Sequence, residues 1–384
     1  MFETALKGSK KYWGLLFLLF GLHGLGASCF LYQLSKGLTI TGMSRDVSWG
    51  LYIAQFTFLV GVAASAVMVV LPYYLHNVKE FGKITILGEF LAIASVSMCL
   101  MFILVDLGKP MRALNVILHP TPNSILFWDM IVLNGYLFLN LLIGWTVLAA
   151  ERKQVKPPAW IKPFIYLSIP WAVSIHTVTA FLYAGLPGRH FWLTAIMAAR
   201  FLGSAFAAGP ALLILLCMIV RKVSKFDPGE VAIQKLTNIV LYATIISIFF
   251  VILELFTAFY SQIPGHTSTF VYLFTGLHGH SNLVAWWWAF VVLILIATLM
   301  LLTPSLRQND TTLAIACAMV FLSLWIEKGI TLVIAGFIPD PFEKITEYAP
   351  TPPEIGITLG VWATGFLILT VLYKIAITVK EETA

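Results

Sequence analysis

Apolar positions along the chain are gathered into ten long runs, at 12–33, 49–75, 84–107, 124–149, 163–186, 194–220, 237–262, 280–303, 311–337 and 355–379. Short segments holding most of the charge separate them. About 20 successive apolar residues carry a helix across the hydrocarbon core of a bilayer, so the pattern predicts ten transmembrane helices and an all-α polytopic membrane protein. The connections are too short for a separate soluble domain, and residues 1–384 are expected to form one integral membrane domain. Composition agrees: 59% of the residues are apolar and 11% are charged, whereas soluble domains carry roughly 25% charge. A surface so poor in ions requires lipid as its solvent.

Charge then sets the orientation. Of the 24 Lys and Arg residues, 16 lie on the side of the amino terminus and 6 on the opposite side, with Arg200 and Lys328 inside spans. The positive-inside rule places both termini in the cytoplasm, in a multi-pass protein of the cell membrane. The net charge of +6 is accounted for by topology. No row of basic residues interleaved with aromatics follows a phosphate backbone, so nucleic acid is not an expected partner. Lys7, Lys10 and Lys11 before an apolar run resemble a signal peptide, but the run is too long and lacks an A-x-A site. The string GASC at 26–29 is only faintly like a lipoprotein box, and the first span is expected to be retained.

Small residues suggest how the spans pack. FLVGVAASA at 58–66 in span two is echoed by FLGSAFAAG at 201–209 in span six, and both spans run inward from outside. Small side chains allow close helix approach. The expectation is two parallel four-helix bundles, spans 2–5 and spans 6–9, with spans 1 and 10 peripheral. The outward connections at 108–123, 187–192, 263–279 and 338–354 are rich in Pro, Gly and aromatics. The last, carrying Pro339, Pro341, Pro350, Pro352 and Pro353, reads either as a stiff docking surface or as a plain connector.

Cofactor ligands are sparse. Cys29, Cys99, Cys217 and Cys317 each stand alone in an apolar run, whereas an iron–sulfur cluster needs cysteines at short spacing; they read as core residues. A bis-histidine haem needs facing imidazoles, and only His23 and His176 lie deep, with His266, His278 and His280 in an outer loop. Neither haem nor an iron–sulfur cluster is expected in this chain, and no metal site.

An ionisable group at mid-bilayer costs at least about 2.5 kcal/mol, which makes each one a site hypothesis. Asp106, Asp129, His176, Arg200, Glu254, Glu327 and Lys328 fall in the outer half, and Glu89 in the inner part of span three. Such one-sidedness predicts a ligand-filled or wet cavity opening outward. Structural alternatives stand beside it: ion pairs of Glu327 with Lys328 or of Arg200 with Glu254, an Asp106 cap over Gly108, and a carbonyl bonded to His176. Asp129 has no cation at helical spacing.

The string VDLGKPMR at 105–112, followed by HPTPNS at 119–124, and WGLYI at 49–53 ahead of the small-residue patch resemble the NrfD family, the membrane subunits of polysulfide reductase and its relatives. The likeness spans nearly the whole chain. Ten spans, with IHTVT at 175–179 and LPGRH at 186–190, are most similar to the ten-helix branch that includes the DsrP subunits of sulfur-metabolising complexes. The resemblance implies a subunit without a redox cofactor of its own that binds menaquinone near the outer face. Electrons would then pass to or from a ferredoxin-like iron–sulfur subunit docked there, with a multihaem cytochrome c and further membrane and cytoplasmic redox subunits in the same complex. Carried onto this chain, the quinone pocket lies within spans 2–5, with Trp49, Tyr52, Gln55 and Asp106 holding the ring and His176 or Asp129 exchanging protons with it. Span one does not align, leaving His23 and Tyr32 unassigned. Two functions follow: a quinone-reactive redox subunit, or a proton or ion translocator whose path includes Glu89, Arg200, Glu254 and Glu327. A mere anchor would have no use for so many intramembrane ions.

Overall fold

A computed structural model describes residues 2–383, among which ten helices are long and apolar enough to cross a membrane. They are α1 (Lys10–Lys36), α2 (Leu51–Leu75), α3 (Thr85–Asp106), α4 (Ile125–Arg152), α5 (Ala159–Ala184), α6 (Met197–Val223), α7 (Glu230–Ser261), α8 (Val284–Leu302), α9 (Asp310–Ala335) and α10 (Pro352–Thr383). Local chemistry sets the ends. Ser9 caps α1 by accepting from the Tyr12 amide, and α1 stops at Gly37 with φ +74°, where a side chain would be strained. Asn309 caps α9 by accepting from the Thr311 and Thr312 amides, and α10 starts on Pro352, at a position where the missing N–H has no intrahelical partner to lose.

Two spans depart from a plain α-helix. In α2 the helix is interrupted between its segments Leu51–Ala63 and Val67–Leu75. In α9 a π-helical segment, Trp325–Thr331, lies between Asp310–Leu324 and Leu332–Ala335. The sequence reading is corrected at the outer connection 263–279, which contains a 12-residue helix, Pro264–Thr275. Pro264 opens it and Gly276, at φ +83°, closes it. Its Phe270, Tyr272 and Leu273 are buried, so this connection turns an apolar helical face inward.

The spans form two four-helix bundles. In the first, α2 packs on α3, α3 on α4, α4 on α5 and α5 on α2; in the second, α6, α7, α8 and α9 close in the same cyclic way. The bundles meet where α6 packs on α2 and α5, and where the π segment of α9 packs on α2. α10 lies on α3 and α4 and carries α1 on its far side. Along α1, Phe17, Leu18, Phe20, Leu25 and Leu31 are exposed, as a lipid-facing peripheral helix requires.

The echoed small-residue strings are the seam between the bundles. A Cβ on Gly209 would lie 2.8 Å from the Ser65 amide nitrogen and 2.9 Å from the Val62 carbonyl, and one on Gly61 would lie 3.5 Å from the Ala205 Cα. Lipid gives apolar surfaces no drive to associate, so close van der Waals contact has to hold such helices together. The α1–α10 seam uses the same device: a Cβ on Gly26 would sit 2.5 Å from the Gly360 Cα, and one on Gly356 would sit 2.7 Å from the Cys29 Sγ.

Charge fastens the second bundle. Arg200 on α6 donates to Glu327 on α9 at 2.5 Å and faces Glu254 on α7 at 3.8 Å. Glu254 also accepts from the Thr194 hydroxyl at 2.6 Å. Glu327 pairs across helices instead of with its neighbour Lys328 because adjacent residues of a helix do not face each other. Lys328 donates to the Phe201 carbonyl at 3.0 Å and lies 4.1 Å over the Phe201 ring. All four charged groups are buried.

Two outcomes test this packing. Gly360→Val overfills the α1–α10 seam, with an expected loss of about 1–3 kcal/mol; thermal unfolding in detergent should fall accordingly, and Cys29 should alkylate faster. Arg200→Met strands two buried carboxylates, a change worth about 3–5 kcal/mol, and the double variant R200M/E327M should recover much of that loss in the same unfolding measurement.

Candidate functional site

At the end of the molecule away from the chain termini, α2, α8, α9, α10 and the segment ahead of α10 enclose a cavity of about 800 Å³. Its wall is aromatic: Trp286 from α8, Trp325 and Phe321 from α9, Trp362 from α10 and Tyr348. One polar group organises it. The Gln55 carboxamide oxygen accepts from the Trp325 indole N–H at 2.9 Å and from the Trp362 indole N–H at 3.0 Å. Two donors on that atom fix which end of the amide is oxygen. The Gln55 Nε2 is therefore left with its hydrogens, buried and without a partner among the described residues, and the Thr358 hydroxyl in the same wall is also unpartnered. Gln55 itself is only 1% exposed.

An unpaired buried amide costs roughly 1–3 kcal/mol, and hydrocarbon offers it nothing. A lining of indoles, an unpartnered N–H₂ on a lining residue and a space of this size together suit a flat apolar ring bearing a carbonyl acceptor. The volume lies within the roughly 300–1,000 Å³ of ordinary ligand pockets. The rim is rigid: Tyr348 donates to Glu354 at 2.6 Å and accepts from the Leu51 amide at 2.9 Å. Glu354 also accepts from the amides of Gly42 and Thr351, at 2.7 and 2.8 Å.

Of the residues expected to form one pocket within spans 2–5, only Gln55 opens on this cavity. Tyr52 donates to the Gln33 side-chain Oε1 at 2.7 Å, and Gln33 Nε2 donates to the Val105 carbonyl at 2.7 Å, which ties α2 to α1 and α3. Asp106 ends α3 with a buried, unpartnered Oδ1 and makes no cap over Gly108. Asp129 on α4 accepts from the Thr179 hydroxyl on α5 at 2.7 Å. His176, fully buried on α5, has both ring nitrogens unpartnered, so the expected carbonyl bond is not made; its ring stands edge-on to Phe206. Trp49 stacks on Trp192 at 5.6 Å and meets Tyr183 edge-on, plugging the outer end of the inter-bundle seam.

The residues expected along a proton path are likewise divided. Arg200, Glu254 and Glu327 are together in the second bundle. Glu89 lies in the first, at the end holding the chain termini, where it lines a separate cavity of about 380 Å³ with Tyr73, Tyr74, Glu151 and Lys380. Lys380 and Glu151 pair there at 2.8 Å, and Glu89 Oε2 is buried without a partner. Among the described residues, no group of three or more His, Cys, Asp or Glu has metal-binding geometry.

The sequence reading passed over Trp286, Trp325, Trp362, Tyr348 and Thr358. Tryptophan is common in membrane proteins near the interfaces, and only the convergence of Trp325 and Trp362 on Gln55, with Trp286 in the same wall, sets these apart.

Comparison with known proteins supplies the lineage. A Halobacterium salinarum protein named as a dimethyl sulfoxide reductase membrane subunit is 27% identical over 90% of this chain and 86% of its own. A selenate reductase subunit of Mesobacillus selenatarsenatis is 22% identical over 91% of each chain. The integral membrane subunit of menaquinone reductase from Nitratidesulfovibrio vulgaris is 22% identical over 92% of this chain and 89% of its own. These names do not select the DsrP branch. Residues 39–339 match the family described as Polysulphide reductase, NrfD, a match across most of the ten-span fold, and the chain belongs to that family.

Proposed function

We propose that this chain is the quinone-reactive membrane subunit of a larger redox complex, exchanging electrons between menaquinone or menaquinol and an iron–sulfur partner at the outer face. The observation that carries the reading is the Gln55 carboxamide, held by two indoles in the wall of an aromatic cavity with its buried N–H₂ unpartnered. The naphthoquinone ring lies among Trp286, Trp325 and Trp362, and one ring carbonyl accepts from Gln55 Nε2. Aromatic contacts of this kind add about 0.5–1.5 kcal/mol each beyond area burial. The isoprenoid tail runs out to lipid. Kinship with a menaquinone reductase subunit supports the same substrate class.

In this reading the termini are cytoplasmic, as the lysine and arginine bias directs, and the cavity faces the outer leaflet of the cell membrane. The ferredoxin-like partner docks on the outer connections around it, including the segment at 338–351. A multihaem cytochrome c and further redox subunits complete an assembly of sulfur or sulfate metabolism. Asp129 and His176 do not line the cavity and take no part in holding the ring in this reading.

A second reading, proton or ion translocation without direct quinone chemistry, has one observation in its favour: the unpartnered Glu89 oxygen at the inner cavity. Arg200, Glu254 and Glu327 would continue such a path.

Equilibrium binding of a soluble naphthoquinone to the purified complex decides where the ring sits. Gln55→Leu should weaken it about fivefold to tenfold, as for loss of one hydrogen bond worth roughly 1–1.5 kcal/mol, while H176Q and D129N bind as wild type. Normal binding by Q55L with loss in the other two would return the ring to spans 2–5. In proteoliposomes, the proton-to-electron ratio should equal that of quinone chemistry and be unchanged in E89Q; a higher ratio that E89Q abolishes would favour translocation.

A further inference from the structure

Beside the mouth of the aromatic cavity stands a carboxylate–imidazole pair that the proposed function leaves unused. Glu347 Oε1 accepts from the Tyr272 hydroxyl at 2.8 Å and from the Asn282 amide at 2.7 Å, and Glu347 Oε2 faces His280 Nδ1 at 3.1 Å. Asn282 and Tyr348, each within two residues of this pair in the chain, line the cavity. The turn that presents His280 is tightly determined. Leu277 and His280 exchange both backbone hydrogen bonds, at 2.9 and 3.0 Å, and Gly276, His278 and Gly279 all have positive φ. A Cβ on Gly276 would come 2.6 Å from the His280 carbonyl, so only glycine closes the turn.

We infer that His280, oriented by Glu347, is the group through which protons pass between the ring in the Gln55 cavity and the outer water. The inference rests on the ring occupying that cavity. Partial burial works against the Glu347 charge, but the bonds from Asn282, Tyr272 and His280 hold its carboxyl below the usual range. An ionised carboxylate at Nδ1 fixes that nitrogen as the donor and leaves Nε2 to take or give a proton, the arrangement in which a partner orients a functional histidine. Glu347 is the titratable group that contacts the imidazole from a neighbouring element, with Tyr272 bonded to Glu347 behind it and His278 in the same turn. The His280 side chain is 44% exposed and so meets water directly, which none of the buried acids of the spans does.

In quinol oxidation two ring O–H bonds break. His280 and Glu347 stand beside the cavity and do not line it, so each proton passes through water at the mouth to His280 Nε2 and on to outer water, while the two electrons leave one at a time to the iron–sulfur centre of the partner. His280 thus serves twice per turnover, and quinone reduction runs the same steps backwards.

The test is the pH profile of naphthoquinol oxidation by the intact complex, with ferricyanide as final acceptor. If the free base of His280 is required, the wild-type profile falls away on its acid side. In His280→Gln, kcat should fall about a hundredfold, within the usual span for a lost acid–base group, with KM unchanged and the acid limb gone. E347D should keep the limb and E347Q should displace it. Wild-type kcat and limb in H280Q overturn the inference, as does a rise in KM alone, which marks a structural role. Naphthoquinone binding separates the two readings: if Q55L weakens binding and H280Q is silent, this inference alone fails, and if Q55L binds normally, the cavity reading has failed first.

Discussion

A polar side chain among acyl chains has only protein to bond to, and the arrangement of this molecule follows from that. Most of its buried charged and carboxamide groups are answered from another element, whereas the buried serines and threonines largely bond a carbonyl one turn back on their own helix. Arg200 meets Glu327 and Glu254, Asp129 meets Thr179, Gln33 bridges Tyr52 and Val105, and the Tyr373 hydroxyl reaches the Leu87 carbonyl. Each pairing fixes the register of two or three spans where apolar packing alone would let them slide. The groups left unanswered are few enough to be informative. Gln55 and Thr358, each with an unpartnered polar atom, line one cavity, Glu89 lines another, and His176 and Asp106 are left unanswered away from both.

The ten spans were legible because lipid imposes one simple rule on composition and length. The two bundles were legible from less: nine residues of span two repeated in span six, which turn out to lie against each other. Helix ends were harder, since water-facing turns continue a helix beyond its apolar part, as at the start of α7, where Glu230 pairs with Arg221. The helix Pro264–Thr275 was hidden because its buried face is too short to register as an apolar run.

The candidate site was legible only at Gln55. Charge identifies residues that are costly in lipid, and it led to Asp129, His176 and Arg200. A neutral carboxamide and three indoles carry no such mark. They become a site because α2, α8, α9 and α10, far apart in the chain, converge, and pairings between spans leave no trace in a single sequence. The same blindness applied to Lys328, whose sequence neighbour Glu327 is its nearest acid in the chain but belongs to Arg200 in space.

One oxygen atom of Gln55 sets the relative positions of three helices, since the indoles that reach it come from α9 and α10. Trp325 is also the first residue of the π segment, which carries Glu327 against Arg200 two residues on. The wall of the aromatic cavity and the buried ion pair of the second bundle are thus built from one seven-residue segment, so the outer face and the interior share a single piece of backbone.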